Sequence, residues 1–265
     1  MNPTVTHTHP MLRQIRTIAF YTLLEALRNR LVWLFAAIAL AGIGLSGFLT
    51  ELALTESRQI QLAVLAAFVR FAAVFVLATF VITSMTREFN DKGLELILAL
   101  PLPRAGYLLG KLLGFAALAL VPAMLFGALA ACFAPPAQAA AWAVSLLGEL
   151  WIVAACCLLC VLTFTHVMGA LSAVMAFYLL ARSVTAFQLI AHAPLASDTW
   201  SQRILGGAID AIAMLLPRLD QFTRTEWLVY HTGSWSALGP LALQTAIYLA
   251  LIVGASLFDL YRKNI

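Results

Sequence analysis

Three ionisable side chains, Arg70, Glu149 and Arg182, stand inside otherwise apolar stretches of this 265-residue chain. A charge at the centre of a bilayer costs about 2.5–3.5 kcal/mol on insertion scales, so such residues pair with one another, line a polar path, or both. Counted inward from the ends of their apolar runs, Arg70, Glu149 and Arg182 lie about 8, 9 and 10 residues deep, or roughly 12–15 Å at the helical rise. The shared depth predicts that Glu149 pairs with Arg70, Arg182 or both, within one subunit or across a dimer. Such a pair either fixes helix register or borders a substrate path.

Other chemistry is sparse. Cys157 and Cys160 share a helical face, with His166 and Met168 following. Soft ligands of this kind suit monovalent copper, but an i, i+3 pair supplies half of a tetrahedral site, and no metal site is expected. His7, His9, His192 and His231 have no partner at ligand spacing. The apolar runs carry no Ser-His, paired Asp or His-Glu-x-x-His arrangement, so no catalytic residue is assigned and the chain is not read as an enzyme. Nor is there a phosphate-cradling loop, because Gly110-Lys111 is followed by Leu112 and has Ala105 where the first glycine belongs.

The densest polar chemistry lies in a charged island, Arg87-Glu88-Phe89-Asn90-Asp91-Lys92-Gly93-Leu94-Glu95, followed by Arg104 and Lys111. Residues 86–98 can form a short helix whose apolar face (Phe89, Leu94, Ile97, Leu98) lies beside the charges, ended by Pro101 and Pro103. Held between two long spans, such a helix can dock in a groove of a soluble partner and pass its motion to the membrane.

The elements that must position these residues follow from composition. With 63% hydrophobic and 11% charged residues, the chain has lipid as its solvent. Six runs of about 20 apolar residues, near 31–50, 62–85, 107–133, 140–164, 167–191 and 241–260, are long enough to cross a hydrocarbon core. They show no barrel-like alternation, so each satisfies its backbone as a helix and the class is an all-α membrane protein. Basic residues before the first span, around the second inter-helix loop and after the last fall on one side of six crossings, which predicts two cytoplasmic termini. That asymmetry accounts for the net charge of +4 without a nucleic-acid partner.

Residues 1–30 read as a tail and an amphipathic interfacial helix, with Leu12, Ile15, Ala19, Leu23, Ala26 and Leu27 near one face. Residues 31–265 form one membrane domain. Its outer segment, 194–240, carries a short apolar run, 204–216, too brief to cross and ended by Pro217; Trp200, Trp227, Tyr230 and Trp235 flank it as interfacial anchors. Gly110 and Gly114, and separately Gly42, Gly44 and Gly47, suit close helix packing. The four cysteines all lie in apolar spans and leave the redox compartment open.

The whole chain resembles an ABC-2 type permease, the membrane subunit of an ATP-binding-cassette exporter. The matching residues are Glu25-Ala26-Leu27-Arg28-Asn29-Arg30; Arg87-Glu88, Gly93-Leu94-Glu95, Leu98-Ala99, Pro101, Arg104 and Leu109-Gly110-Lys111; and Leu216-Pro217-Arg218-Leu219-Asp220-Gln221-Phe222. The resemblance implies the ABC-2 (type V exporter) fold, with an elbow helix before the first span, a coupling helix in loop 86–106, and short outer re-entrant helices before the last span. It further implies that Arg87, Glu88, Phe89, Asp91, Lys92, Gly93, Leu94, Glu95 and Arg104 meet an ATPase subunit. ATP and Mg then sit on that partner, and no cofactor on this chain. A second permease copy, membrane lipid and an accessory or periplasmic protein complete the expected partners, in a bacterial inner membrane. The expected function is export of an unidentified substrate. One branch of the resembling family serves nitrous-oxide reductase maturation. The alternative is a non-transporting component that relays ATPase motion to an envelope partner.

Overall fold

In a computed structural model, the described residues (10–52, 57–90, 103–164, 166–191 and 200–262) are all-helical, without a strand among them. In chain order they form α1 (Pro10–Arg28), α2 (Leu31–Leu52), α3 (Ser57–Asn90), α4 (Arg104–Ala131), α5 (Pro136–Thr163) and α6 (Val167–Ala191). Then come α7 (Trp200–Leu215), a 3-10 turn at Leu219–Gln221, α8 (Thr225–Val229), a 3-10 turn at Trp235–Ala237, and α9 (Leu238–Arg262). Among the described residues, six stretches are long and apolar enough to cross a membrane: Leu31–Phe48, Arg58–Asn90, Arg104–Ala131, Pro136–Thr163, Val167–Ala191 and Trp235–Arg262. The chain is thus a multi-pass membrane protein.

Helix α5 is the hub. Its spanning window is 67% buried against 17% for that of α9, and it packs on α3, α4, α6 and α9. Small residues set the closeness of these contacts. Gly127 of α4 lies where a side chain would collide with Ala143 of α5, and Gly148 of α5 lies under Phe222 and Thr245. Where no hydrophobic force drives helices together, such backbone approach supplies the dispersion energy of association.

Helix α3 runs farther than the expected span 62–85. It has no Gly or Pro to interrupt it, so residues 86–90 are its last turn rather than the opening of a separate short helix. The remainder of the expected coupling helix, with Asp91, Lys92, Gly93, Leu94 and Glu95, lies outside the described residues.

The buried face of α1 differs from the amphipathic expectation. Ile15, Thr22 and Ala26 are buried, while Leu12 and Leu27 are exposed. The cause is α4, which presents glycines at four-residue spacing: a side chain on Gly110 would meet Ile18 and on Gly114 would meet Thr22. Ile15 also approaches Gly106, so α1 runs alongside α4 in the same direction for two turns. Arg30, with φ 56°, makes the left-handed joint into α2.

This seam is testable. A Cβ at Gly114 would stand 2.6 Å from Thr22 Cβ. Gly114→Val should therefore destabilise the protein by about 1–3 kcal/mol, the usual cost of overpacking. Gly44→Val, at a position with nothing within 4 Å, should leave the thermal midpoint unchanged.

Candidate intramembrane site and the charged end of the bundle

The buried site begins with Glu149, which α5 holds at 0% exposure, one turn beyond the buried Ser145. An unpaired carboxylate there would be prohibitive, so the rest of the fold must bring donors to it. Helix α6 supplies Arg182, whose Nη1 donates to Glu149 Oε1 at 3.0 Å. The other carboxylate oxygen, Oε2, accepts from the hydroxyl of Thr223 at 2.7 Å.

Thr223 comes to Glu149 because Pro217, two residues past the end of α7, stops that helix and the chain turns inward through the 3-10 turn at Leu219–Gln221. Leu219, Phe222 and Thr223 are all fully buried. Thr223 adopts φ 45°, a left-handed conformation that costs a β-branched residue energy. Three further hydrogen bonds fix it: its N–H donates to Ser145 Oγ (2.9 Å), its carbonyl accepts from Arg70 Nη1 (3.1 Å), and its Oγ1 accepts from Arg182 Nη1 (3.3 Å). Arg182 also donates to the carbonyls of Leu219 (2.9 Å) and Phe222 (3.4 Å).

The three charges singled out in the sequence therefore meet in one cluster, but not symmetrically. Arg182 pairs with Glu149 directly, whereas Arg70 joins through the Thr223 backbone. Tyr178 of α6 borders the cluster, and its ring lies 6.5 Å from that of Phe71. Ser145 and Thr223 were not foreseen. Their only sequence signal is a hydroxyl residue four positions before Glu149 and another just after Phe222, and neither reveals that the outer segment folds inward to meet α5.

The second polar region gathers the end of α3, the start of α4 and the ends of α1 and α9. Arg87 Nη2 pairs with Glu25 Oε1 at 2.6 Å, and Ser84 Oγ donates to the same oxygen at 3.0 Å. Glu88 pairs with Lys111, whose side chain is 8% exposed. Arg104 Nη1 donates to the Leu260 carbonyl at 3.2 Å, and Phe89 packs partly buried against the core. So Arg87, Glu88 and Arg104 all contact other helices of their own chain. The open Arg87–Glu25 pair is worth little, on the order of 0.2–1 kcal/mol. The enclosed Glu88–Lys111 pair matters through what its loss would leave, a buried ammonium without a partner.

The described cysteines are free thiols, and no group of three or more His, Cys, Asp or Glu among the described residues is arranged to hold a metal. No protein-family model matches the chain, and no curated protein matches it.

Removing one half of the buried pair separates its two roles. Glu149→Leu should strand Arg182 and cost about 3–5 kcal/mol, while the double variant Glu149→Leu/Arg182→Met should recover much of that loss. Thermal unfolding of the two single variants and the double variant in one detergent measures the coupling.

Proposed function

We propose that the chain is the membrane subunit of an ATP-binding-cassette exporter of the ABC-2 type, working as a pair of copies with two separate ATPase subunits that carry ATP and Mg. On this reading both termini and residues 86–106 face the cytoplasm of a bacterial inner membrane. The observation that carries it is the belt of contacts at one end of the bundle: Arg87 to Glu25, Glu88 to Lys111, and Arg104 to the Leu260 carbonyl. These contacts tie α1, α3, α4 and α9 together at the two roots of residues 91–102. A load applied to that stretch would reach four helices at once, which suits a part that takes up the stroke of a motor.

The same belt decides which residue to test. Glu88 holds Lys111 within the chain, so reversing its charge breaks an internal pair and says little about docking. Glu95, which falls between the two roots in sequence, is the informative position. With the ATPase subunit co-expressed, Glu95→Lys should reduce co-purification and ATP turnover of the complex about tenfold while leaving membrane insertion intact. Full recovery of the complex with unchanged turnover would mean that the motor docks elsewhere.

A second reading has its own support. The segment after α7 is hydrogen-bonded to α3, α5 and α6, so movement of the bundle is transmitted directly to its distal end. A component that relays ATPase motion to an envelope protein would use that linkage. ATP-dependent uptake of a cargo by inverted vesicles favours export; ATP turnover that responds only to an added protein favours the relay.

A further inference from the structure

The charge cluster around Glu149 does not balance. Arg70 and Arg182 bring two cations and Glu149 one carboxylate, and Tyr178 adds only a phenol. Arg182 is well satisfied, with the carboxylate, two carbonyls and a hydroxyl as acceptors. Arg70 is not. It donates to the neutral carbonyl of Thr223, feels Glu149 only through space beside Tyr178, and its Nε is buried without a hydrogen-bond partner. Asp220, on the inward-turning segment, has its own Oδ1 buried without a hydrogen-bond partner and forms no ion pair with either arginine. A guanidinium at this depth that shares its one counter-charge with a second arginine is costly to bury, and its planar fork is shaped to take two oxygens of a phosphate, sulfate or carboxylate.

The surroundings say what kind of anion fits. Arg70 is only partly buried, and the Arg182 side chain retains 20% exposure, so both cations reach the surface of the bundle. Phe71 follows Arg70 on α3 and its ring meets that of Tyr178 at the edge of the cluster; Phe71 and Phe75 stack at 6.5 Å and 13°, each nearly half exposed. An aromatic shelf beside an unbalanced cation suits a molecule with an apolar tail and an anionic head. We propose that Arg70 is the head-group anchor of an intramembrane site for an amphipathic anion, with Phe71 and Phe75 as the shelf for its tail. As a statement of binding, this does not depend on the transport reading. As a statement that the cargo is an amphipathic anion, it rests on that reading.

The test uses the full chain without any ATPase, in phosphatidylcholine nanodiscs, titrated with decyl phosphate, decanol and inorganic phosphate. Decyl phosphate should bind saturably, and decanol should not. Arg70→Gln should weaken decyl phosphate binding about tenfold or more, whereas Arg70→Lys, which keeps the charge, should retain part of it. Phe71→Ala and Phe75→Ala leave the guanidinium in place and should weaken decyl phosphate, with inorganic phosphate unaffected. They also keep the idea testable if Arg70→Gln folds poorly. Phosphatidylglycerol added to the discs separates the sources: competition names a lipid head group as the occupant, and its absence names a diffusible amphiphile. Equal binding of decanol, or unchanged affinity in Arg70→Gln, would overturn the site. So would absent binding of decyl phosphate, and loss of the dimer in Arg70→Gln would then place the counter-charge on a second copy. Because no ATPase takes part, failure here leaves the permease reading standing, and loss of ATPase docking leaves this site standing.

Discussion

One carboxylate without solvent organises the interior. Glu149 cannot exist as an ion on α5 unless donors surround it, and the donors that do so come from α6 and from a segment that must fold inward to arrive. The strained backbone of Thr223 is tolerable because each of its polar groups has a partner in this cluster. Apolar packing between these helices is interchangeable in a way that this geometry is not. Leu against Val tolerates small slippage, whereas hydrogen bonds of 2.7–3.0 Å to a single side chain do not. The cluster therefore fixes the rotation of α5 and α6 and the position of the inward turn together.

The opposite end of the bundle is organised by charge of a looser kind. One of its pairs, Arg87–Glu25, is open and the other, Glu88–Lys111, is enclosed, and they hold the roots of a polar stretch rather than a buried turn. Between the two ends lies α5, the most enclosed helix, in contact with α3, α4, α6 and α9. Displacement of α3 at the charged end reaches the inward turn through Arg70, and displacement of α4 reaches it through α5. Rigid, closely packed helices transmit such displacement because their interfaces repack in discrete steps rather than deform.

Much of this was legible in the sequence, and the reasons differ by element. The six spans were readable because bilayer thickness imposes a length on apolar runs, and only their ends shifted, as with α3, whose helix continues past Met85 through residues that carry no stop signal. The layer shared by Arg70, Glu149 and Arg182 was readable from depth alone. Which arginine takes the carboxylate was not, since depth says nothing of rotation about the helix axis. Thr223 and Ser145 were invisible for a related reason: a lone hydroxyl residue in an apolar run is commonplace, and its role appears only when a segment distant in sequence is folded against it. On α1 the apolar pattern suggested one face and α4 selected another, because glycine at 110 and 114 rewards close approach more than Leu12 and Leu27 reward burial in protein. Lipid accepts those leucines equally well.

The short connection between α5 and α6 has a bearing on how the protein is made. Thr163 ends one helix and Val167 begins the next. The acid on the first helix and the base on the second are each expensive to release singly into lipid, and together they neutralise one another. These two helices are therefore bound to leave the insertion machinery as a hairpin, the arginine following the glutamate within a single folding event. A nascent chain halted between them would hold a naked carboxylate in hydrocarbon and would be kept at the translocon until its partner was synthesised.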